Sequence, residues 1–285
     1  MVNTTTTAHN LIEDQVKGIL VEPLEAASVV LASGPTVFNS AEPLRIKTLE
    51  DGFTPQWVGE NEQIPDDGAA DFGEISLMPT SRKSIKKIIR TSNELIRQST
   101  VGVSATLQAR LVKDVANTLD DALLAGDGAD DTITGLLNQP GVQTAPMSTT
   151  DTDPFLDALA HMAAKEITPS RFILNGSDFF ALRKIKDNNG RYILQGGPAE
   201  GAQYRLFETP VSVSNKLPAG KGILANMADV AVVRDTDPTV TILNERYAEY
   251  DQVGIRVTTR YDLGLLRSDS VLLLESDSGS DDGGE

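Results

Sequence analysis

Between Leu44 and Arg90 apolar and polar residues alternate in two runs, LRIKTL at 44–49 and FGEISLM at 72–78, with Trp57-Val58 resuming the extended pattern between them. Alternation of period two marks strands that lay one face on a surface. The segment joining the runs, ENEQIPDDGAAD at 60–71, is polar, acidic and too long for a tight turn. The expected element is therefore a long antiparallel hairpin whose return strand continues into the basic run RKSIKKIIR at 82–90. A two-stranded hairpin is marginal by itself in water, so any fold this chain adopts has to give it a surface, its own or a neighbour's.

Charge sharpens that requirement. The tip carries Glu60, Glu62, Asp66, Asp67 and Asp71 without a compensating base, whereas the return strand holds Arg82, Lys83, Lys86, Lys87 and Arg90. The chain as a whole is at −16, so most of its surface repels phosphate backbones and anionic membranes. For the basic strand, pairing with the acidic tip of another copy ranks first, a solvated strand face second and nucleic acid third. Trp57, the single tryptophan, stands with Phe53 and Val58 near it and reads as an anchor of the hairpin on protein rather than as a ligand-binding aromatic.

The rest of the chain alternates helical and extended patterns. Residues 1–10 and 276–285 read as flexible polar ends, and Leu11, Ile12, Val16, Ile19 and Leu20 as a short amphipathic stretch broken at Pro23, part of an arm that needs something to lie against. TSNE at 91–94 fits a capping box that opens a short helix. Ser104 is a plausible N-cap for a longer helix striped by Leu107, Leu111, Val115, Leu119 and Leu123, which ends at Gly126 and Gly128. Asp153-Pro154 caps a helix whose buried face is Phe155, Leu159 and Met162, and Ser177 caps another through Phe179, Phe180, Leu182 and Ile185. Strands are expected at 171–174, 211–214, 223–226, 230–233, 239–243, 255–261 and 271–275. The mixture predicts an α+β protein with a helix-covered sheet.

Catalytic chemistry has little to work with. Zero cysteines remove disulfides, thiolate metal sites and cysteine nucleophiles. His9 lies in the polar N-terminal stretch and His161 lacks a metal-binding partner at helical spacing. PAGKG at 218–222 lacks the first glycine and the Ser/Thr of a phosphate loop, and Asp127, Asp130 and Asp131 do not match a calcium loop, so both read as turns. No catalytic residue, cofactor or metal site is expected. No apolar run approaches the ~18 residues of a membrane span, and the N-terminus has no signal-peptide pattern.

The order of parts carries a specific resemblance. An arm, a long hairpin, RTSNELI leading to a long helix that ends in ALLAGDG, then GLLN, then SDFFALRKIKDNNGRYIL and a return into a C-terminal sheet resembles the major capsid proteins of tailed bacteriophages with the Hong Kong 97 fold, over residues 15–275. The resemblance implies an N-terminal arm at 1–43, an extended loop at 44–90, a P-domain at 91–150 with its spine helix at 104–125, an A-domain at 151–245, P-domain return strands at 246–275 and an acidic tail at 276–285.

It also implies partners. The chain would pair with itself in hexamers and pentamers that close an icosahedral shell around double-stranded DNA without reading its sequence, with no membrane contact. Assembly would take place in the host cytoplasm with a separate scaffolding protein, a portal and decoration proteins, and the product would be the virion capsid. The intersubunit contacts would fall on Trp57, the acidic tip and the basic strand. Some members lock the shell through a lysine of the extended loop, but residues 59–73 hold no lysine, so non-covalent overlap is expected. Others carry an N-terminal scaffolding segment, whereas here the arm follows Met1 almost directly, which implies a separate scaffold or a processed form. An encapsulin-like shell around enzyme cargo is the alternative within this fold, and a metal-dependent cytoplasmic enzyme a remote one.

Overall fold

The computed structural model describes residues 22–49, 57–63, 72–92, 94, 103–187, 189–192, 194, 204–235, 239–243 and 245–276. Two short helices, α1 (Glu22–Ala27) and α2 (Val29–Ala32), precede β1 (Thr36–Asn39), β2 (Leu44–Leu49), β3 (Phe72–Leu77) and β4 (Ile85–Ser92). The 23-residue α3 (Val103–Ala125) comes next, then β5 (Gln143–Met147), α4 (Asp153–Ala164), β6 (Arg171–Leu174) and α5 (Gly176–Leu182). The C-terminal part is strand: β7 (Arg205–Leu206), β8 (Thr209–Val213), β9 (Lys221–Ala225), β10 (Val230–Arg234), β11 (Thr239–Leu243), β12 (Gln252–Thr259), β13 (Tyr261–Leu265) and β14 (Val271–Ser276).

The centre is a mixed sheet in the order β5-β14-β9-β6-β8-β7. Strands buried on both faces need near-continuous apolar sequence, and VLLLE in β14 and KGILA in β9 supply it. One face, through Phe172, Leu174, Leu224, Leu272 and Leu274, packs on Phe155, Ala158 and Met162 of α4 and on Phe179 and Leu182 of α5. The other, through Ile173, Ile223, Ala225, Val271 and Leu273, shares a cluster with the stripe of α3. Leu111, Val115, Leu119 and Leu123 are all buried there, each contributing roughly 1.5–3 kcal/mol. Leu107 lies outside the residues whose side chains are described.

Several local expectations shift. The helix at 103–125 begins one residue before Ser104, which is therefore inside it. The cap of α4 is Thr152, with the Asp151 carboxylate accepting from the Asp153 N–H at 3.1 Å, so the capping function moves one turn-residue upstream of Asp153. Leu159 packs half-buried against the cluster of Phe155 and Met162, and Ala158 joins that inner face fully buried. In α5 the cap is Asn175, whose side chain accepts from the Ser177 N–H at 2.9 Å. Thr91 and Ser92 still belong to β4, and the Ser92 hydroxyl accepts from the Glu94 N–H. The helix expected beyond 94 and the stretch 11–20 lie outside the described residues.

Two larger corrections concern pairing. The hairpin consists of β2 and β3, with Leu44 opposite Leu77 and Leu49 opposite Phe72. The basic run is not its return strand: β4 pairs with β12 in a separate sheet, β11-β12-β4, from Ile85 opposite Thr259 to Ser92 opposite Gln252. The reason lies in Ile85 and Ile89, whose side chains pack against the main core with Ile255 and Val257 of β12. The described part of the arm also lies on its own chain, with Leu24, Val30 and Leu31 buried in the cluster of α3. A third small sheet, β1-β10-β13, contains β1, for which the TVFN sequence gave no signal.

The phrase GLLN has a plain structural cause. Gly135 crosses the end of α3 so closely that a Cβ would lie 2.6 Å from the Gly126 nitrogen and 2.7 Å from the Leu124 carbonyl carbon. Leu136 then plugs the core, and the Asn138 amide donates to the carbonyls of Ala125 and Gly126, two acceptors that the helix end leaves without internal partners.

Candidate assembly surfaces

The hairpin is held at its base. Leu77 and Met78 join Ala231 and Val233 in a small buried cluster that also receives Phe38, Leu44, Ile46 and Ile75. Beneath them lies Asp262 of β13, fully buried. Its carboxylate accepts from the Met78 N–H at 2.7 Å and from the Leu263 N–H at 2.9 Å, and it pairs with the Arg82 guanidinium at 3.0 Å. Met78 sits at φ +55°, a left-handed conformation uncommon for a side chain of its size. It is retained because its N–H faces Asp262 and its sulfur receives the Arg260 Nε–H at 3.2 Å. Arg260 also donates to the Ala41 carbonyl in the bend that leads into β2, so the approaches to both legs are tied to Arg260.

A second buried carboxylate fixes the arm. Asp120, on the inner face of α3, accepts from the Ser28 hydroxyl at 2.5 Å and from the Val29 and Val30 N–H groups at 2.8 and 3.3 Å, the donors left open at the start of α2. Burial pushes its pKa above the ordinary 3.8, an effect the Ser28, Val29 and Val30 hydrogen bonds oppose and the charge of Asp121 reinforces. Neither Asp120 nor Asp262 stands out as a site in the sequence. The available signal is positional: an Asp between Leu119 and Leu123 on an apolar stripe, and an Asp between Tyr261 and Leu263 in a strand.

The structure distributes the expected contact residues unevenly. Trp57 is fully exposed, and Glu60 and Glu62 are exposed beside it, with Glu62 accepting from the Gly59 N–H. Asp66, Asp67 and Asp71 lie outside the described residues. Lys83, Lys86, Lys87 and Arg90 are exposed, Arg90 lying 5.3 Å from the ring centre of Tyr247. Arg82 faces inward to Asp262. A polar groove of about 910 Å³ runs between β3 and the β13–β14 connection, with the Arg82–Asp262 pair in its wall.

Among the described residues no three His, Cys, Asp or Glu side chains are grouped as metal ligands. PAGKG forms a turn into β9, with Gly220 at φ +79° donating its N–H to Asp178. Asp127, Asp130 and Asp131 lie in the loop that leaves α3, where the Asp127 carboxylate accepts from the Ala129 N–H. His161 is exposed on α4. No described helix is long and apolar enough to cross a membrane.

Comparison with known proteins agrees with this architecture. The chain is 27% identical over 241 residues to the major capsid protein of Enterobacteria phage HK97, an overlap of 81% of this chain that spans 60% of the length of that relative. The capsid of a native GTA particle superposes with a TM-score of 0.71 at 18% identity, over 87% of this chain and 90% of that one. A structure from Microbacterium phage Oxtober96 gives 0.70 at 16% identity, over 88% and 91%. These likenesses establish the Hong Kong 97-like α+β fold. Because the phage capsid family matches residues 8–276, nearly the whole sequence, the chain belongs to that family.

Proposed function

We propose that this chain is the major capsid protein of a tailed bacteriophage, a structural subunit that assembles through hexamers and pentamers into an icosahedral shell around double-stranded DNA. The observation that carries the reading is the hairpin: its base is clamped by Asp262 and Arg260, while Trp57 beyond it is fully exposed. A large aromatic exposed beyond a clamped hairpin base is what an intersubunit anchor requires. The relative from phage HK97 is named a major capsid protein, which supports a structural rather than an enzymatic role.

In this reading residues 1–43 form the arm, 44–90 the extended loop, 91–150 with 246–275 the P-domain and 151–245 the A-domain. Trp57, Glu60, Glu62, Asp66, Asp67 and Asp71 meet a neighbouring copy, and the exposed Lys83, Lys86, Lys87 and Arg90 receive such an acidic tip. Arg82 contributes by keeping β4 in place. The net charge of −16 suits a wall that encloses DNA without adhering to it. Scaffolding, portal and decoration proteins complete the set of partners, the capsid forms in the host cytoplasm, and the tip without lysine gives particles that fall to single-chain bands on denaturing gels.

Expression of the chain alone and with a scaffolding partner, followed by sedimentation and negative-stain electron microscopy, tests the proposal. Rings or closed shells that take up DNA in the phage are expected. A chain that stays monomeric in both settings, or shells that enclose an enzyme in place of DNA, would overturn it.

A further inference from the structure

The two edges of the central sheet carry opposite surfaces. At the β7 edge, Phe180 and Tyr192, 46% and 47% exposed, line a depression of about 350 Å³, and Tyr204, 40% exposed, packs edge-on against Phe180 with ring centres 6.0 Å apart. Arg183 stacks 5.6 Å from the centre of Tyr204, Lys186 lies 4.9 Å from that of Tyr192, and Lys184 is exposed beside them. None of these three cations takes part in an ion pair among the described residues. At the β5 edge, α4 turns Asp153, Leu156 and Asp157 to solvent, Leu156 with 44% exposure.

We infer that these faces dock on one another between copies: the Leu156–Asp157 face of α4 in one subunit seats on the Phe180–Tyr192–Tyr204 patch of the next. This rests on the shell reading and specifies one of its contacts. The edges are separated by the width of a six-stranded sheet, roughly 24 Å, so they cannot meet within a chain. Tyrosine with arginine is the composition of interface centres, and an exposed leucine flanked by carboxylates matches it in shape and sign. A surface that binds the opposite surface of the next copy is heterologous and closes into a ring when the rotation allows. Cations with exposed aromatics can also stack on nucleic acid, but an apolar, acidic complement on the same chain favours protein.

The chain has no native cysteine, which makes a crosslinking test clean. A double variant, Leu156→Cys with Phe180→Cys, assembled and then oxidised, is expected to give a ladder of disulfide-linked oligomers, while each single variant stays at one band. In parallel, Lys184→Glu and Asp157→Lys are each expected to weaken ring formation about fivefold, and their combination to restore it. Wild-type chain is assembled alongside. If it forms rings and the double-cysteine variant, also assembled, gives no ladder, the inference fails while the shell reading stands. It fails equally if Lys184→Glu assembles normally but packages less DNA, which would assign the patch to nucleic acid. If wild type forms neither rings nor shells, the shell reading fails and takes this contact with it.

Discussion

Asp262 and Asp120 show how single buried carboxylates set the position of whole segments. Asp262 is fully buried and accepts from Met78, Leu263 and Arg82, so Asp262→Ala takes this acceptor from a guanidinium and two backbone N–H groups. Breaking a buried pair from one side costs roughly 3–5 kcal/mol. Denaturant unfolding of unassembled subunits should register a loss of that size, and a loss under ~1 kcal/mol would mean the clamp is not holding the hairpin base. Asp120 has a folded-state pKa raised by burial, so the folded chain holds this proton more tightly than the unfolded one. Its contribution is therefore complete below the ordinary value of 3.8 and is lost as pH rises through the raised native value. Asp120→Asn should remove that decline, flattening the stability-against-pH curve across the window between the two; an unchanged slope would rule out Asp120 as its source.

At the scale of elements, α3 and the hairpin differ in how much of their support is internal. The end of α3 is completed by the crossing at Gly135, whose Cβ would meet backbone at 2.6 to 2.8 Å. Backbone cannot step aside as a flexible side chain can, so Gly135→Ala should cost about 1–3 kcal/mol, read as a lowered melting temperature. The hairpin is the opposite case: among its described residues, the buried contacts gather at the base. Deleting residues 60–72 should leave a soluble subunit with wild-type melting behaviour that does not build shells, and normal shells from that deletion would show that the tip makes no essential contact. The basic run was legible as a strand but not as to its partner. Strand period sets which residues share a face, and only the burial of Ile85 and Ile89 against Ile255 and Val257 decides which strand lies next to it.

For the whole molecule, the exposed cations on and just before β4 and the acidic tip should act between subunits and through charge. Replacing Lys83, Lys86 and Lys87 with Glu is expected to weaken assembly, and raised salt to reproduce part of the loss in wild type, since exposed charges are screened within about 10 Å at 0.1 M. Light scattering across a salt series would expose the idea as wrong if mutant and wild type assembled equally at both extremes. The sequence by itself determined the elements with strong patterns, the helix stripe at Leu111–Leu123, the strands at 171–174, 239–243 and 271–275, and the α+β class, because hydrophobic patterning is a local property of the chain. The order of those elements was enough to carry the family resemblance. Only the tertiary structure decided that β4 leaves the hairpin for β12, that the described arm lies on α3 through Asp120, and that Arg82 faces Asp262. Those choices depend on residues from 90 to 180 positions apart competing for the same buried space, and no local pattern encodes the winner.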